Sequence, residues 1–263
     1  MYAVVQSVER ITPGLIRIVF SDGDLESFEP TSFTDQYING YFLPENADYL
    51  VPFDLDEARR LGDELRPRPR RVTVRNWDGT NKHLTVDFVV HGRSGFAGPW
   101  AQRAQPGDRL QFKGPSGSYF PDPDVDWHLL AGDESALPAI SASLESLSSD
   151  SKCTVFALVD SESHEIDIET EARVELYWLH RASAMNPENV LLETVKSYEF
   201  QDGNFDVFVH GEAGEVRELR KYLLSECGVD PSSSISPYWR RDHTDEAWRE
   251  IKKEWLADQD TDI

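Results

Sequence analysis

Apolar and polar residues alternate in the first part of the sequence, in short runs separated by turn residues. Residues 4–8, 15–20, 72–75 and 84–90 show a period of two, and Pro-Gly or Asp-Gly pairs occupy the breaks. A period of two indicates half-buried β-strands. Many short strands with regular turns predict a small antiparallel β-barrel or sandwich.

From residue 127 onward the period changes. Five apolar stretches predict strands, at 127–130, 154–159, 174–179, 205–209 and 234–238. The segments between them carry apolar residues at helical spacing. Apolar strands that alternate with helices predict a parallel sheet covered by helices. A Pro-Asp-Pro-Asp run at 121–124 separates the two patterns, so we predict domains at 1–122 and 123–263.

Proline and serine positions give three local expectations. Proline and arginine alternate over 65–70, which predicts an extended segment outside any ladder. A short helix is expected over 95–105, with Pro99 at its first position. A longer helix is expected over 136–147, with Ser135 as its N-cap.

Composition and charge restrict the classes of partner. The 263 residues carry a formal net charge of −22, and so acidic a surface repels nucleic acid and anionic lipid. No apolar run approaches the roughly 20 residues that span a bilayer, and the N-terminal residues lack the features of a signal peptide. Cys153 and Cys227 have no ligand spacing. We therefore expect a cytoplasmic protein with reduced thiols and no membrane insertion.

Arginines are concentrated in two places despite this acidic background. Five lie between Arg66 and Arg75, and two more are adjacent at Arg240 and Arg241. An anion site in this chain would need such local positive charge. The alternative is that these arginines are solvated and pair with nearby acids.

The stretch 129–140 is a candidate ligand site. An apolar strand ends at Gly132, the polar residues Asp133, Glu134 and Ser135 follow, and then a helix begins. In open α/β sheets, ligands bind beyond the carboxyl ends of strands, where the N–H groups of helix N-termini favour anions. The alternative is an ordinary strand–helix junction.

Ordered motifs along almost the whole chain carry a family resemblance. They include Thr-Asp-Gln-Tyr at 34–37, Val-Asp-Phe-Val-Val-His-Gly at 86–92, Trp-Ala at 100–101, His-Gly-Glu-Ala at 210–213 and Tyr-Trp-Arg-Arg at 238–241. With these motifs the chain resembles the siderophore-interacting proteins, the flavin-dependent ferric-siderophore reductases.

This resemblance implies a two-domain, ferredoxin-reductase-like fold. An N-terminal antiparallel β-barrel would hold FAD, and a C-terminal α/β domain with a parallel sheet would admit NAD(P)H as electron donor. The implied substrate is an Fe(III)-siderophore, which is reduced to release Fe(II). No side chain is expected to act covalently or to transfer protons, because the flavin carries the electrons. The scattered histidines predict no protein-bound metal.

The resemblance also implies a set of cofactor-binding residues. In the first domain they lie on the flavin strand, on the strand beside the FAD and in the turn that would hold the pyrophosphate: Arg70, Val72, Thr73, Asp87, Phe88, Val89, His91, Ala97, Gly98 and Trp100. In the second domain they would face the flavin and the nicotinamide or cover the isoalloxazine: Asp133, Ser135, Ala136, Tyr238, Trp239 and Arg240.

One departure from the family concerns flavin stacking. Val72 stands where a tyrosine usually stacks on the flavin, so an aromatic pairing worth about 0.5–1.5 kcal/mol is lost. Either FAD binds more loosely, or Tyr37, Tyr41 or Trp239 supplies the stack.

Two further departures concern anions. Gly98 replaces a common Ser or Thr, so the backbone alone would serve the pyrophosphate there. Asn39 replaces a lysine that is common near the iron site, which favours a neutral, hydroxamate-type siderophore.

Several strand ends in the second domain leave alternatives open. His210 is expected close to a cofactor, or else bonded only to protein. Asp160 would hold a ribose hydroxyl, which favours NADH, or it has no ligand. The pair His180 and Arg181 would touch a 2′-phosphate or lie in a surface loop.

Two other functions remain open for the chain. It would be a siderophore-binding or delivery protein with weak or no flavin, or a flavin reductase that serves a ferredoxin. In each case we expect a monomer.

Overall fold

Six antiparallel strands close into a barrel in the first of the two units of the structure. The computed structural model describes residues 1–90 and 95–259, and its first unit runs from Met1 to Ser118. The strands are β1 (Tyr2–Thr12), β2 (Leu15–Ser21), β3 (Tyr37–Phe42), β4 (Arg68–Asp78), β5 (His83–Val89) and β6 (Arg109–Ser116). They close in the order β1-β2-β5-β4-β3-β6.

The period of two explains the interior of this barrel. On β2, Ile16, Ile18 and Phe20 are buried, whereas Arg17 and Val19 between them are more exposed. The inward side chains of the six strands form one apolar core. Because successive side chains of a strand point to opposite faces, this alternation closes the core and leaves the outer face polar.

Two short α-helices accompany the barrel strands. They are α1 (Leu55–Ala58) and α2 (Ala97–Arg103), and a 3₁₀ turn lies at Leu25–Ser27. Pro99 is the third residue of α2, whereas the sequence analysis predicts it at the first position. It is tolerated there because the N–H groups of the whole first turn have no partner within the helix.

The predicted extended segment at 65–70 is partly wrong. Strand β4 already begins at Arg68, and Arg68 and Pro69 pair with Phe42 and Tyr41 of β3. The pairing of β4 with β5 begins only at Val74. Pro69 is therefore accommodated where the strand is paired on one side, because a proline cannot donate to a second ladder.

The second unit begins at Tyr119 and contains a five-stranded parallel sheet. Its strands are β7 (Trp127–Asp133), β8 (Lys152–Val159), β9 (Arg173–His180), β10 (Phe205–Glu212) and β11 (Ser234–Trp239). Its α-helices are α3 (Leu137–Ser146), α4 (Val190–Ser197), α5 (Ala213–Glu226) and α6 (Asp245–Gln259). The strand order is β11-β10-β7-β8-β9.

Strand β7 lies at the centre of this sheet. All of its residues are buried, and apolar cores cover both faces of the sheet. The chain passes from β7 to β8 and β9 on one side and later to β10 and β11 on the other. The strand order therefore reverses between β7 and β10, which is where an open α/β sheet binds ligands.

The C-terminal helix packs through its aromatic residues. Trp248 is 2% exposed, and its ring meets that of Trp255 at a centroid distance of 5.4 Å. Among the described residues, no helix combines the length and the apolar content that crossing a bilayer requires. Both cysteines are free thiols; Cys153 is buried and Cys227 is half-buried.

Candidate functional site

Positive charge gathers on the barrel beside the start of α2. Arg68 and Arg70 lie on the same face of β4, and their guanidinium carbons lie 5.6 and 5.1 Å from the centre of the Phe96 ring. Phe96 directly precedes α2. The buried Nε of Arg68 has no hydrogen-bond partner among the residues that the structure describes. This donor and the two cations fit an anion such as a pyrophosphate.

Gly98 brings the first turn of α2 close to the barrel wall. A Cβ atom at this position would lie 3.2 Å from the carbonyl oxygen of Val89 and 3.5 Å from Cα of Val90. Among the residues that the structure describes, none caps the N-terminus of α2 with its side chain. The amides of Ala97 and Gly98 lie in the positively polarised first turn, where backbone N–H groups favour negative charge.

Trp100 has a structural role in the same helix. Its ring packs against Phe42 and Phe88 at centroid distances of 5.6 and 5.7 Å, and it stacks on Phe20 at 6.3 Å. The indole therefore anchors α2 on the aromatic core of the barrel. A contact between Trp100 and a cofactor stays a prediction.

The predicted flavin strand places its residues on two faces. Val72 pairs with Ile38 and belongs to the barrel core, with 9% of its surface exposed. Thr73 is half-buried and pairs with Tyr37. Arg71 lies over the Tyr37 ring, 5.1 Å from its centre. Of the aromatic residues that could replace the missing tyrosine, Tyr37 is therefore the one beside Thr73.

The side chains of Asp87 and Phe88 make contacts within the barrel. Asp87 is 4% exposed and accepts two hydrogen bonds from Arg17, at 2.7 and 2.8 Å. Phe88 is 1% exposed and packs in the core, whereas Val89 is half-buried. His91, also predicted to bind the cofactor, lies outside the described residues.

In the second unit, Asp133 lies at the point where the strand order reverses. Its Oδ1 accepts hydrogen bonds from the backbone N–H and the hydroxyl of Ser135, at 2.9 and 2.5 Å. Its Oδ2 accepts from the N–H of Glu212 at 2.9 Å and from the indole N–H of Trp239 at 2.7 Å. The carboxylate is 2% exposed and joins β7, β10 and β11.

These hydrogen bonds correct the prediction that Ser135 caps α3. The N-cap residue is Ala136, and no side chain in the described part of the chain caps that helix. The Ser135 hydroxyl turns back to Asp133 because a buried carboxylate is a stronger acceptor than its alternatives. Ala136 is fully buried, which leaves its backbone as its polar contribution. That Asp133, Ser135 and Ala136 contact a cofactor stays a prediction.

Two glycines make room for Asp133. A Cβ at Gly132 would lie 2.3 Å from the carbonyl oxygen of His210, and one at Gly211 would lie 2.9 Å from the Asp133 carboxylate. Gly211 also has a φ of +147°, which side chains rarely adopt. The close approach of β7 and β10 therefore depends on glycine at both positions.

Glu134 is a buried carboxyl beside this site. It is 9% exposed, and its Oε1 accepts a hydrogen bond from the N–H of Asp160 at 2.7 Å. Burial and the neighbouring charge of Asp133 raise the pKa of Glu134 to about 7. Sequence reasoning placed Glu134 in the turn but did not identify it as a perturbed group.

A cluster of ion pairs covers the carboxyl ends of the strands. Glu215, in the first turn of α5, binds the guanidinium groups of Arg181 and Arg241. Glu212 caps α5 by accepting from the N–H groups of Gly214 and Glu215, at 2.6 and 3.1 Å. The sequence analysis included Glu212 only as part of the motif at 210–213 and did not identify Glu215, although acidic residues are favoured near a helix N-terminus.

Arg181 is therefore neither solvated nor free for a phosphate. Its Nη2 donates to Oε2 of Glu215 at 2.9 Å, and only 17% of the side chain is exposed. Although burial disfavours the charged form, Glu215 holds the pKa of Arg181 above its ordinary value.

His210 is buried beneath the predicted flavin-covering residues. Its Nε2 lies 2.9 Å from the Ser234 hydroxyl, and its ring lies between those of Phe208 and Tyr238, at 4.2 and 4.6 Å. Burial lowers the pKa of His210 to about 3, so the ring is neutral. Arg240 packs over Trp248 and Trp255, 5.8 Å from each ring.

The barrel and the parallel sheet are the two parts of a ferredoxin-reductase-like fold. The structure matches the ferredoxin reductase of carbazole 1,9a-dioxygenase with a TM-score of 0.60 over 91% of this chain and 69% of that one, at 17% identity. This likeness confirms the predicted fold class.

Within that class, the chain belongs to the siderophore-interacting protein family. The family model described as "Siderophore-interacting FAD-binding domain" matches residues 4–119, and the model "Siderophore-interacting protein" matches residues 125–242. The siderophore-interacting protein SipS from Aeromonas hydrophila has a similar structure, with a TM-score of 0.82, 25% identity and 98% of each chain covered. The resemblance found in the sequence is therefore confirmed.

Three relatives are similar in sequence. An uncharacterized protein of Mycobacterium tuberculosis is 40% identical, over 95% of this chain and 93% of its own. The ferric vibriobactin reductase ViuB of Vibrio cholerae is 34% identical, over 91% of this chain and 89% of its own. The NADPH-dependent ferric-chelate reductase of Escherichia coli is 36% identical, over 54% of each chain.

Proposed function

We propose that the chain is an FAD-dependent ferric-siderophore reductase that takes electrons from NAD(P)H. The observation that carries this proposal is the pair of arginines, Arg68 and Arg70, beside the start of α2 in a barrel of the FAD-binding family. In a chain with a net charge of −22, positive charge gathered at a helix start indicates an anionic ligand.

In the proposed enzyme, domain 1–122 holds FAD. Arg68, Arg70 and the first turn of α2 bind the pyrophosphate, and Gly98 lets that turn lie close to the barrel wall. Thr73 and its β3 neighbour Tyr37, which share one face of the β3–β4 ladder, line the flavin ring, and Tyr37 supplies an aromatic surface there. Val72 lies on the other face of the strand and contacts the flavin only at its exposed edge. FAD, when bound, supplies the conversion of a two-electron hydride donor into a source of single electrons.

Domain 123–263 receives the nicotinamide nucleotide at the β7–β10 edge. Asp133 holds the indole of Trp239 in one orientation through a hydrogen bond of 2.7 Å. Tyr238, Trp239 and Arg240 are the further cofactor-binding residues that we propose in this domain. These residues orient the reactants and exclude water, and none is required to transfer a proton.

The substrate class follows from iron chemistry and from the relatives. ViuB is named a ferric vibriobactin reductase, which supports a ferric siderophore as the substrate of this chain. Hard oxygen ligands hold Fe(III) more tightly than Fe(II), so one-electron reduction loosens the complex. We further propose that the enzyme is a monomer and works in the cytoplasm, where released iron is used.

Anaerobic titration tests this function. Protein reconstituted with FAD should lose its flavin absorbance on addition of NADH or NADPH. A ferric hydroxamate siderophore should restore the absorbance, while an Fe(II)-specific chelator captures the product. Flavin that no nicotinamide nucleotide reduces, or that no ferric siderophore reoxidises, would contradict the proposal.

A matched pair of variants tests the pyrophosphate site. Arg70→Gln should weaken FAD binding about tenfold to a hundredfold, since a charge-assisted contact to a phosphate contributes about 1.5–3 kcal/mol. Arg66→Gln is the control, because Arg66 pairs with Asp63 on the exposed surface. Equal FAD affinity in the two variants would argue against the site.

The valine at position 72 favours one alternative. A protein without the stacking tyrosine would bind siderophore and deliver it without retaining flavin. Failure of added FAD to bind, together with tight binding of the ferric siderophore, would establish that alternative.

A further inference from the structure

The ion-pair cluster at the carboxyl edge of the parallel sheet decides what charge a bound nucleotide meets. Arg181 follows β9, and both oxygens of the Glu215 carboxylate bind its guanidinium group. Glu215 is 4% exposed at its side chain, and Arg181 is 17% exposed. A bidentate pair with so little exposure leaves the arginine few donors for another anion.

The second arginine of the cluster is occupied in the same way. Arg241 donates from Nη2 to Oε1 of Glu215 at 3.0 Å and from Nη1 to Glu188 at 2.5 Å. Glu215 therefore binds both cations, while Asp133 lies 3.9 Å from Nη2 of Arg181 and Glu188 binds Arg241.

Acids outnumber these cations at the same edge. Asp133, Glu134 and Glu212 are each less than a tenth exposed there, in addition to Glu215. A 2′-phosphate would bring about two further negative charges to this edge. Binding a 2′-phosphate here would cost considerable free energy, because like charges repel strongly where water is excluded.

Asp160 stands at the end of β8 with an exposed side chain. Its backbone is fixed on both sides: its N–H donates to Glu134 at 2.7 Å, and its carbonyl oxygen accepts from the N–H of Ala182 at 2.9 Å. In doubly wound sheets, an acid after the second strand accepts the 2′-hydroxyl of the adenosine ribose.

We propose that Glu215 determines which electron donor the protein prefers. Glu215 holds Arg181 and Arg241 away from the nucleotide, and Asp160 then selects NADH by binding the 2′-hydroxyl of its adenosine ribose, which carries no phosphate. This inference rests on the proposed function and deepens it, because it names the donor. It separates the chain from its E. coli relative, whose name specifies NADPH.

Donor competition tests the inference in the FAD-loaded protein. The kcat/KM for NADH should exceed that for NADPH by about tenfold or more. Glu215→Gln should free Arg181 and raise kcat/KM for NADPH about fivefold, with little change for NADH. Asp160→Ala changes an exposed side chain and should lower kcat/KM for NADH about fivefold. This second variant tests the inference even if Glu215→Gln does not fold.

Glu188→Gln is the matched control. Glu188 is exposed and binds Arg241 but not Arg181, so its loss should leave the donor ratio unchanged. A shift in this control equal to that of Glu215→Gln would overturn the role of Arg181.

Nucleotide fragments give a readout that needs no electron transfer. Calorimetry with 5′-ADP and with 2′,5′-ADP should show about tenfold tighter binding of 5′-ADP, and Glu215→Gln should narrow this gap. Tighter binding of 2′,5′-ADP, a preference for NADPH, or no binding of either fragment would overturn the inference. The proposed function is judged separately, by reoxidation of dithionite-reduced protein with a ferric siderophore.

Discussion

The Asp133 carboxylate shows how one residue can organise a binding edge. It receives four hydrogen bonds from Ser135, Glu212 and Trp239, and it is almost fully buried. A buried carboxylate needs hydrogen-bond donors for its lone pairs, and here protein groups supply them. The strand end is therefore already shaped without a ligand.

Asp133→Asn should destabilise the protein by about 2–4 kcal/mol, because one oxygen becomes an NH₂ group that faces backbone or indole donors. Urea denaturation measures this change. Asp160→Asn is the control, since its side chain is exposed and its carboxylate accepts no hydrogen bond from the residues at 1–90 and 95–259. Equal stability of the two variants would contradict the role of Asp133.

Glu134 should make stability depend on pH between about 4.5 and about 7, its ordinary and its folded pKa. The folded state binds the proton more tightly, so the stability that this proton contributes is present below pH 4.5 and is lost as the pH rises through 7. Glu134→Gln stays neutral and keeps the acceptor for Asp160. It should gain up to about 3 kcal/mol over the wild type at pH 8 and little at pH 4.5.

Unfolding free energies at pH 4.5 and pH 8 measure that difference. Glu162→Gln, at an exposed acid, should show none. A Glu134→Gln difference that does not change with pH would mean that the carboxyl titrates normally.

At the level of elements, β4 and α2 together carry the predicted flavin site. Arg68 and Arg70 project from the start of β4, and Val72 and Val74 continue the same face into the core. Exposure falls along this face, from half-buried arginines to 9% at Val72 and 1% at Val74. The ligand-facing part of the strand therefore ends near Val72.

Val72→Tyr should tighten FAD binding by about threefold to tenfold, because an aromatic pairing adds about 0.5–1.5 kcal/mol. Val74→Tyr is the matched control: it overpacks the barrel and should cost about 1–3 kcal/mol of stability without tightening FAD. Fluorescence titration with FAD separates the two. Unchanged affinity in Val72→Tyr would indicate that Tyr37 or another aromatic ring already covers the flavin.

The sequence predicted element types because they depend on local periodicity. The barrel strands, the all-apolar β7 and the helices of the second unit follow from periods of two and 3.6. It did not predict that Arg68 and Pro69 join a ladder, which depends on the partner strand β3. Likewise, the sequence did not predict that the Ser135 hydroxyl donates to the buried carboxylate of Asp133 in place of capping α3.

The candidate site was less predictable than the fold. Family motifs identified Asp133 and Trp239 separately, but the hydrogen bond between them joins residues 106 positions apart. The pairing of Arg181 with Glu215 spans 34 positions and leaves no periodic signal. Contacts of this kind are properties of the folded chain.

At the scale of the whole molecule, a net charge of −22 sets the background for every anionic ligand. Anionic chelates are repelled at long range, and local arginines must offset this. We propose that Arg240 also attracts an anionic chelate. Its guanidinium group lies over the rings of Trp248 and Trp255, which restrict its motion.

Arg240→Gln should lower kcat/KM for an anionic ferric chelate about tenfold and for a neutral ferric hydroxamate less than about threefold. Arg173→Gln, at a highly exposed arginine paired with Asp150, should affect neither. Steady-state reduction of both chelates at low ionic strength measures the effect. Equal losses on the two chelates would argue against charge recognition by Arg240.

The flavin content of the purified chain is the decisive quantity for the assignment as a whole. Protein incubated with excess FAD and freed of unbound flavin should be yellow and should release FAD on denaturation in a ratio close to one per chain. A colourless protein that retains no FAD after this treatment would contradict the assignment to a flavin-dependent reductase.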